Sequence, residues 1–173
     1  MNKKINWIEG EGGPHIIIES KFLKIWKGES DEEFERSLCF YKKACSINDY
    51  ISVLNIGSGK CIIINEDILI STWFTDNTGG ILVVGNYIGD EMEYDTLSKE
   101  INDIPQYEYS DTELVYQVCD QELYLFPACD FDKGWHYNYC KFNLLPGNYI
   151  VKMIEEYAVN DSNFRLFKFT KTS

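Results

Sequence analysis

The amino-acid sequence predicts an α+β fold, predominantly antiparallel β, with meander- or sandwich-like sheets and two or three short helices. Three observations predict it. Aromatic residues make up 15% of the chain, as 12 Tyr, 10 Phe and 4 Trp, and such side chains suit pleated, half-buried strands. Short apolar runs rich in isoleucine and valine follow one another closely, separated by Gly, Asn, Asp and Pro. Apolar residues at helical spacing occur in only a few places. With 173 residues the chain can bury roughly 70% of its unfolded surface, so a true core is expected.

Each element has a local reason. A hinge of Gly10, Gly12, Gly13 and Pro14 precedes Ile16, Ile17 and Ile18, which read as a short buried strand. Residues 21–26 have room for one helical turn. Ser30 and Glu33 form a capping-box pattern, and Asp31 and Glu32 suit the positive end of a helix dipole. Phe34, Leu38 and Tyr41 then recur at helical spacing, so residues 31–44 are predicted as a helix. From Tyr50 the period changes. Residues 50–56 and 60–64 read as strands joined through Gly57-Ser58-Gly59 in a hairpin. A turn at Asn65-Glu66-Asp67 leads to strands at 69–74 and 81–88, separated by a turn-rich loop at 76–80. These four strands are predicted as a meander.

Residues 90–102 form the next helical candidate, with Met92, Leu97 and Ile101 as its apolar positions and Pro105 blocking extension. Residues 113–118 and 122–126 read as a strand pair across Cys119-Asp120-Gln121, and 130–134 as a loop. Strands at 139–144, 148–158 and 164–170 complete the chain, with Pro146-Gly147 fitting a type II turn. No long linker, repeat or low-complexity tract interrupts it. One domain over residues 1–173 is expected, and a subdivision near residue 90, where the charge composition changes, is the alternative.

That change is pronounced. The chain has 16 basic and 28 acidic residues, a net charge of −12. Between Asp90 and Asp132 lie 13 acidic residues and a single basic one, Lys99, so this stretch carries the whole net charge. It is also aromatic, with Tyr94, Tyr107, Tyr109, Tyr116, Tyr124, Phe126 and Phe131. Disordered acidic tails lack aromatics, so the segment reads as folded with a concentrated negative face. Such a chain repels phosphate backbones and anionic lipids, which argues against nucleic acid and membrane as partners. A macromolecular partner is expected to be basic.

Other candidate chemistry is weak. No stretch matches a signal-peptide core or the ~20 apolar residues of a membrane span, so a cytoplasmic location is expected. The six cysteines, at 39, 45, 61, 119, 129 and 140, form no C-x-x-C, and free thiols with no metal site are expected. Cys61 and Cys119 lie in apolar runs and read as small buried hydrophobes. Gly57-Ser58-Gly59-Lys60 looks like a phosphate loop but lacks its frame and leads into a strand, so a hairpin turn explains it better. Asp130 and Asp132 begin a calcium-like loop whose Gly134 comes one residue early and whose twelfth position is Lys141. His15 and His136 have no nucleophile motif around them and read as structural. Glu155-Glu156 and the acidic stretch could supply paired carboxylates to a hydrolase, but no catalytic constellation stands out and no cofactor is implied.

A resemblance adds to this. Trp7-Ile8-Glu9 with Gly12-Gly13-Pro14 and the Ile16 strand is followed by Asp49-Tyr50 and a hydrophobic strand. Then come the run from Gly57-Ser58-Gly59-Lys60-Cys61 to Asn65-Glu66-Asp67 and the segment Ile70-Ser71-Thr72-Trp73-Phe74. In this order the pieces resemble the immunity protein 21 family of bacterial polymorphic toxin systems, over residues 7–88. Beyond that only Pro146-Gly147-Asn148-Tyr149 continues the likeness. The chain lacks a proline between residues 67 and 71, unlike the family's usual form. The resemblance implies a non-enzymatic cytoplasmic protein that protects the producing cell by binding a cognate toxin domain. It implies no catalytic residues, and Trp7 and Trp73 are expected in the core.

Toxins that attack nucleic acid need a basic surface, and an acidic inhibitor can occupy it. The expected contact residues are therefore Asp90, Glu91, Glu93, Tyr94, Asp95, Tyr107, Glu108, Tyr109, Asp111 and Glu113, with tyrosines as anchors among the acids. Asp31, Glu32, Glu33 and Glu35 of the first helix are the second candidate surface. Two other readings stay open: a small-molecule or peptide binding module with an aromatic-lined pocket, and a hydrolase using acidic residues and His136.

Overall fold

Isoleucine-rich runs such as Ile16-Ile17-Ile18 and Ile62-Ile63-Ile64 have no polar face. A strand made of them must be covered on both sides, and the architecture follows from that need. The computed structural model describes residues 4–10, 12–29, 39–65, 70–89, 92–129 and 138–172. Among them are eleven strands: β1 Ile8–Glu9, β2 His15–Glu19, β3 Ile51–Ile56, β4 Gly59–Ile64, β5 Ile70–Thr75, β6 Gly79–Tyr87, β7 Ser110–Val118, β8 Glu122–Pro127, β9 Cys140–Asn143, β10 Gly147–Val159 and β11 Ser162–Lys171. Two α-helices, α1 Phe40–Cys45 and α2 Tyr94–Asn102, and 3-10 turns at Ser20–Phe22 and Gln106–Glu108 complete the set. The α+β, mainly antiparallel fold class is as the sequence predicts.

The strands form two antiparallel sheets. One has six strands in the order β1-β5-β6-β11-β10-β7, the other five in the order β3-β4-β2-β8-β9. They face each other. Because side chains alternate along a strand, Ile17, Ile62, Leu123, Leu125 and Phe142 point inward from the five-stranded sheet. Trp73, Leu82, Tyr116, Tyr149, Val151, Phe167 and Phe169 meet them from the other. Trp73 and Phe142 stack across the middle with centroids 4.1 Å apart. The opposite faces are covered as well. Ile16, Ile18, Ile63 and Phe126 lie under Phe22, Trp26 and Ala44. Phe74, Ile81, Val83, Phe164 and Leu166 lie under Leu97 and Ile101 of α2 and under Tyr109. Trp7 stacks on Phe164 at 6.1 Å on this side. Both tryptophans expected in the core are packing residues.

The hairpin from β3 to β4 turns through Gly57 and Ser58, with Ile56 opposite Gly59 and Gly57 at φ +55°. This disposes of a phosphate loop there, since a strand and not a helix N-terminus follows. The predicted meander from 50 to 88 is two hairpins instead. β4 pairs with β2 and β3, whereas β5 pairs with β6 and β1 in the other sheet. The predicted pairing of 113–118 with 122–126 is likewise corrected: β7 pairs with β10, and β8 with β2 and β9. Pro146-Gly147 stands between β9 and β10, which also lie in different sheets, and Gly147 opens β10 with φ +144°. In all three places a turn signal marks a crossing between sheets, because both sheets need covering and the chain alternates between them.

The first helix is described only over Phe40–Cys45, and the start predicted at Ser30 with residues 31–38 lies outside the described residues. The second begins at Tyr94, four residues later than predicted, and buries Leu97 and Ile101 as its spacing implied. Residue 90 separates no sheet from another. The six-stranded sheet takes β1, β5 and β6 from before it and β7, β10 and β11 from after it. The five-stranded sheet takes β2, β3 and β4 from before and β8 and β9 from after.

Candidate functional site

Among the described residues, β10 contributes to the lining of two clefts. The first is walled by α2 and the turn after it. Leu97 and Ile101 face the sheet, so the helical period leaves Asp95, Lys99 and Glu100 exposed. Pro105 then redirects the chain into the 3-10 turn Gln106–Glu108. Glu100, Asp103, Ile104, Pro105 and Glu108 come to one wall, facing Ile154, Glu156 and Tyr157 of β10 around about 430 Å³.

Glu156 reaches this cleft because it lies two residues from Ile154 on the same face of β10, and Tyr157 joins them because β10 is irregular. Its register against β11 slips between Ile154 and Tyr157, leaving one extra residue in β10. Such a bulge re-aims side chains. The adjacent carboxylates part company: Glu156 lines the helix-side cleft, while Glu155 accepts a hydrogen bond from the Tyr50 hydroxyl at 2.8 Å. Glu100, Asp103, Glu108 and Glu156 are all exposed, and no ion pair holds any of them among the described residues. Burial, then the charges of Glu100 and Asp103, push the Tyr157 hydroxyl above its usual pKa, so it stays a neutral donor.

The second cleft is an edge groove of about 540 Å³ between β3 and β7. Asp49, Tyr50, Val53, Glu113, Leu114 and Met153 are among the residues lining it.

The structure scatters the ten predicted contact residues. Asp90 and Glu91 lie outside the described residues. Glu93 and Asp95 are exposed at the start of α2. Tyr94 is a packing residue rather than a presented one, stacked on Phe74 at 4.9 Å. Tyr107 is 83% exposed beside the helix-side cleft, whereas Tyr109, two residues on, is only 6% exposed and belongs to the core. Glu108 lines the helix-side cleft and Glu113 the edge groove. Asp111 is paired with Lys152 at 3.0 Å. Sequence reasoning missed Glu100, Asp103, Glu156 and Tyr157. The first two sat in the acidic stretch three residues apart, which was the available signal. In the sequence Glu156 stands out only as one of an adjacent carboxylate pair, because it reaches the cleft from a distant strand.

Asp31, Glu32, Glu33 and Glu35, the Asp130 to Gly134 loop and His136 lie outside the described residues. His15 sits inside the sandwich with Nδ1 2.6 Å from Ser71 Oγ, and burial lowers its pKa to about 4, so the imidazole is neutral. Both groups are fully buried, so the pair cannot meet a substrate. The six cysteines are free; Cys61 is buried as expected, but Cys119 is exposed because β7 has just ended. Among the described residues no group of three His, Cys, Asp or Glu is placed to hold a metal ion, and no helix is long and apolar enough to cross a membrane.

A protein-family model described as Immunity protein 21 matches residues 6–157 of the chain. The match extends well beyond the 7–88 resemblance and takes in both clefts. No curated protein and no solved structure matches.

Proposed function

The chain belongs to the immunity protein 21 family, and from that premise we propose that it binds and neutralises a cognate toxin domain in the cytoplasm, using the carboxylate-lined cleft between α2 and β10. The observation that carries the choice of surface is the set of four exposed carboxylates with no ion pair among the described residues, around a partly apolar floor. A basic toxin surface, such as a nuclease presents to its substrate, offers Lys and Arg that these carboxylates can accept. Ile104, Pro105 and Ile154 would cover the aliphatic stems of those side chains.

Tyr107, exposed at the rim, is the natural anchor, since a tyrosine provides contact area at low ordering cost. Glu93, Asp95 and Asp111 widen the negative field and steer the encounter without each making a contact. The protein acts by stoichiometric occupation of the toxin surface and not by turnover.

The test is kinetic. The variant E100Q/D103N/E108Q/E156Q should associate with the toxin domain at least about tenfold more slowly at low salt, and its rate should depend less on ionic strength. Growth protection should weaken in parallel. An unchanged association rate would discard this cleft as the contact surface.

A further inference from the structure

The edge groove is separate from the helix-side cleft and is built differently. Among the described residues β3 is the last strand of the five-stranded sheet and β7 the last of the six-stranded one, and both border the groove. A terminal strand presents backbone N–H and C=O groups with no neighbour to pair with. Proteins commonly blunt such edges against their own kind with Lys or other charges, Pro, bulges or short strands. β7 is nine residues long, Ser-Asp-Thr-Glu-Leu-Val-Tyr-Gln-Val, with neither Lys nor Pro. Its only charged residues are Asp111 and Glu113. Another copy of this edge would be repelled by like charge, whereas a basic strand would not.

A local irregularity sharpens the point. Asp111 pairs with Lys152 and Leu114 with Val151, so Thr112 and Glu113 are extra residues in β7. Glu113 adopts φ +59°, a backbone region unfavourable to a side chain of its kind. The bulge is held from both sides: the Thr112 hydroxyl donates to the Val151 carbonyl at 2.6 Å and accepts from the Leu114 N–H at 3.2 Å. Strained, over-determined residues gather where a side chain must be aimed, and this one lines the groove. Asp49 lines it from the other wall, Val53, Leu114 and Met153 are partly buried apolar residues within it, and no basic residue is among the described lining. The six residues of β3 span roughly 20 Å, enough for an extended segment of about six residues.

We propose that this groove takes an extended segment of the toxin domain as an added strand on β7, one in which apolar side chains alternate with Lys or Arg. The apolar set faces Val53, Leu114 and Met153, and the cationic set reaches Asp49 and Glu113. The identity of the occupant rests on the toxin-binding reading above; the chemistry of the groove does not. The toxin is then held at two places, by its basic surface at the helix-side cleft and by a strand at the edge.

The test uses isotope-labelled full-length protein and a capped hexapeptide of alternating Lys and Val, with an alternating Glu and Val twin. Amide shifts should concentrate on β3 and β7, and exchange of β7 amides should slow. The variant D49N/E113Q, nearly isosteric and checked for folding in the same spectra, should bind the Lys-Val peptide about tenfold more weakly. The variant E100Q/E156Q, altered in the other cleft, should bind it as the wild type does. No shifts, shifts confined to the α2–β10 cleft, equal binding of the acidic twin, or an unaffected D49N/E113Q would each overturn the proposal. Growth rescue against the toxin domain reads the neutralisation role separately. Rescue without peptide binding removes the groove and leaves neutralisation. Peptide binding without rescue removes the toxin as the occupant.

Discussion

His15 and Ser71 meet at 2.6 Å in the middle of the sandwich, where a charge would be expensive. Burial lowers the imidazole pKa from 6.5 to about 4, so the unfolded chain binds the proton that the folded chain refuses. The contribution to stability is therefore complete above pH 6.5 and is lost as the pH falls towards 4, by about 3 kcal/mol at most. Urea unfolding of the wild type and of His15→Gln across this range should show the difference between them shrinking as acid is added; a constant difference would mean that His15 does not titrate with folding. Other buried polar groups are held by geometry. Glu19, 1% exposed, accepts from the backbone N–H groups of Cys119 and Asp120 and so closes the corner between β7 and β8. Asp76 accepts from Thr78 and Gly79 and pairs with Lys168; burial alone would raise its pKa, but these partners outweigh it and hold the carboxyl below the usual range. Tyr107 and Tyr109 are alike in sequence and opposite in burial. What separates them is the 3-10 turn that ends between them, and no single-residue property announces it.

At the scale of elements, α2 is both a lid on the six-stranded sheet and one wall of the acidic cleft. Leu97 is fully buried among Phe74, Ile81, Val83 and Leu166. Leu97→Ala should cost about 2–5 kcal/mol in chemical denaturation, and it should also slow toxin association, because Glu100 and Asp103 lose their fixed positions. A stability loss with unchanged association would separate the helix from the contact. The turn into β6 is more constrained than its sequence suggests. A Cβ on Gly80 would lie 2.6 Å from the Phe74 carbonyl oxygen and 2.4 Å from the Trp73 ring. Strands were legible because their signals are local: β-branched or aromatic runs bounded by turn residues placed β2, β3, β4, β6 and β11 closely. Partners were not legible, because β4–β2 and β8–β2 pairing joins residues far apart in the chain.

At the scale of the molecule, each sheet is woven from strands on both sides of residue 90, and the central core runs from Ile8 to Phe169. Unfolding is expected as one cooperative transition, with tryptophan fluorescence and far-ultraviolet circular dichroism coinciding; two resolved transitions would restore a boundary near residue 90. The charge map also belongs to this scale. The acidic stretch in the sequence contributes to two acid-lined openings, Glu100, Asp103 and Glu108 to one and Glu113 to the other. Strand alternation in β10 sends Glu155 towards one and Glu156 towards the other.

Composition and periodicity alone determined that this chain is a mainly antiparallel α+β protein with a segregated negative charge, and the order of its motifs determined its family. These are properties of short stretches, and neighbouring residues suffice to express them. The tertiary structure alone decided which strands pair, which tyrosines are presented, and which carboxylates stand together. Those outcomes depend on how two sheets with two apolar faces each are covered, and that requirement is met only by residues distant in the chain.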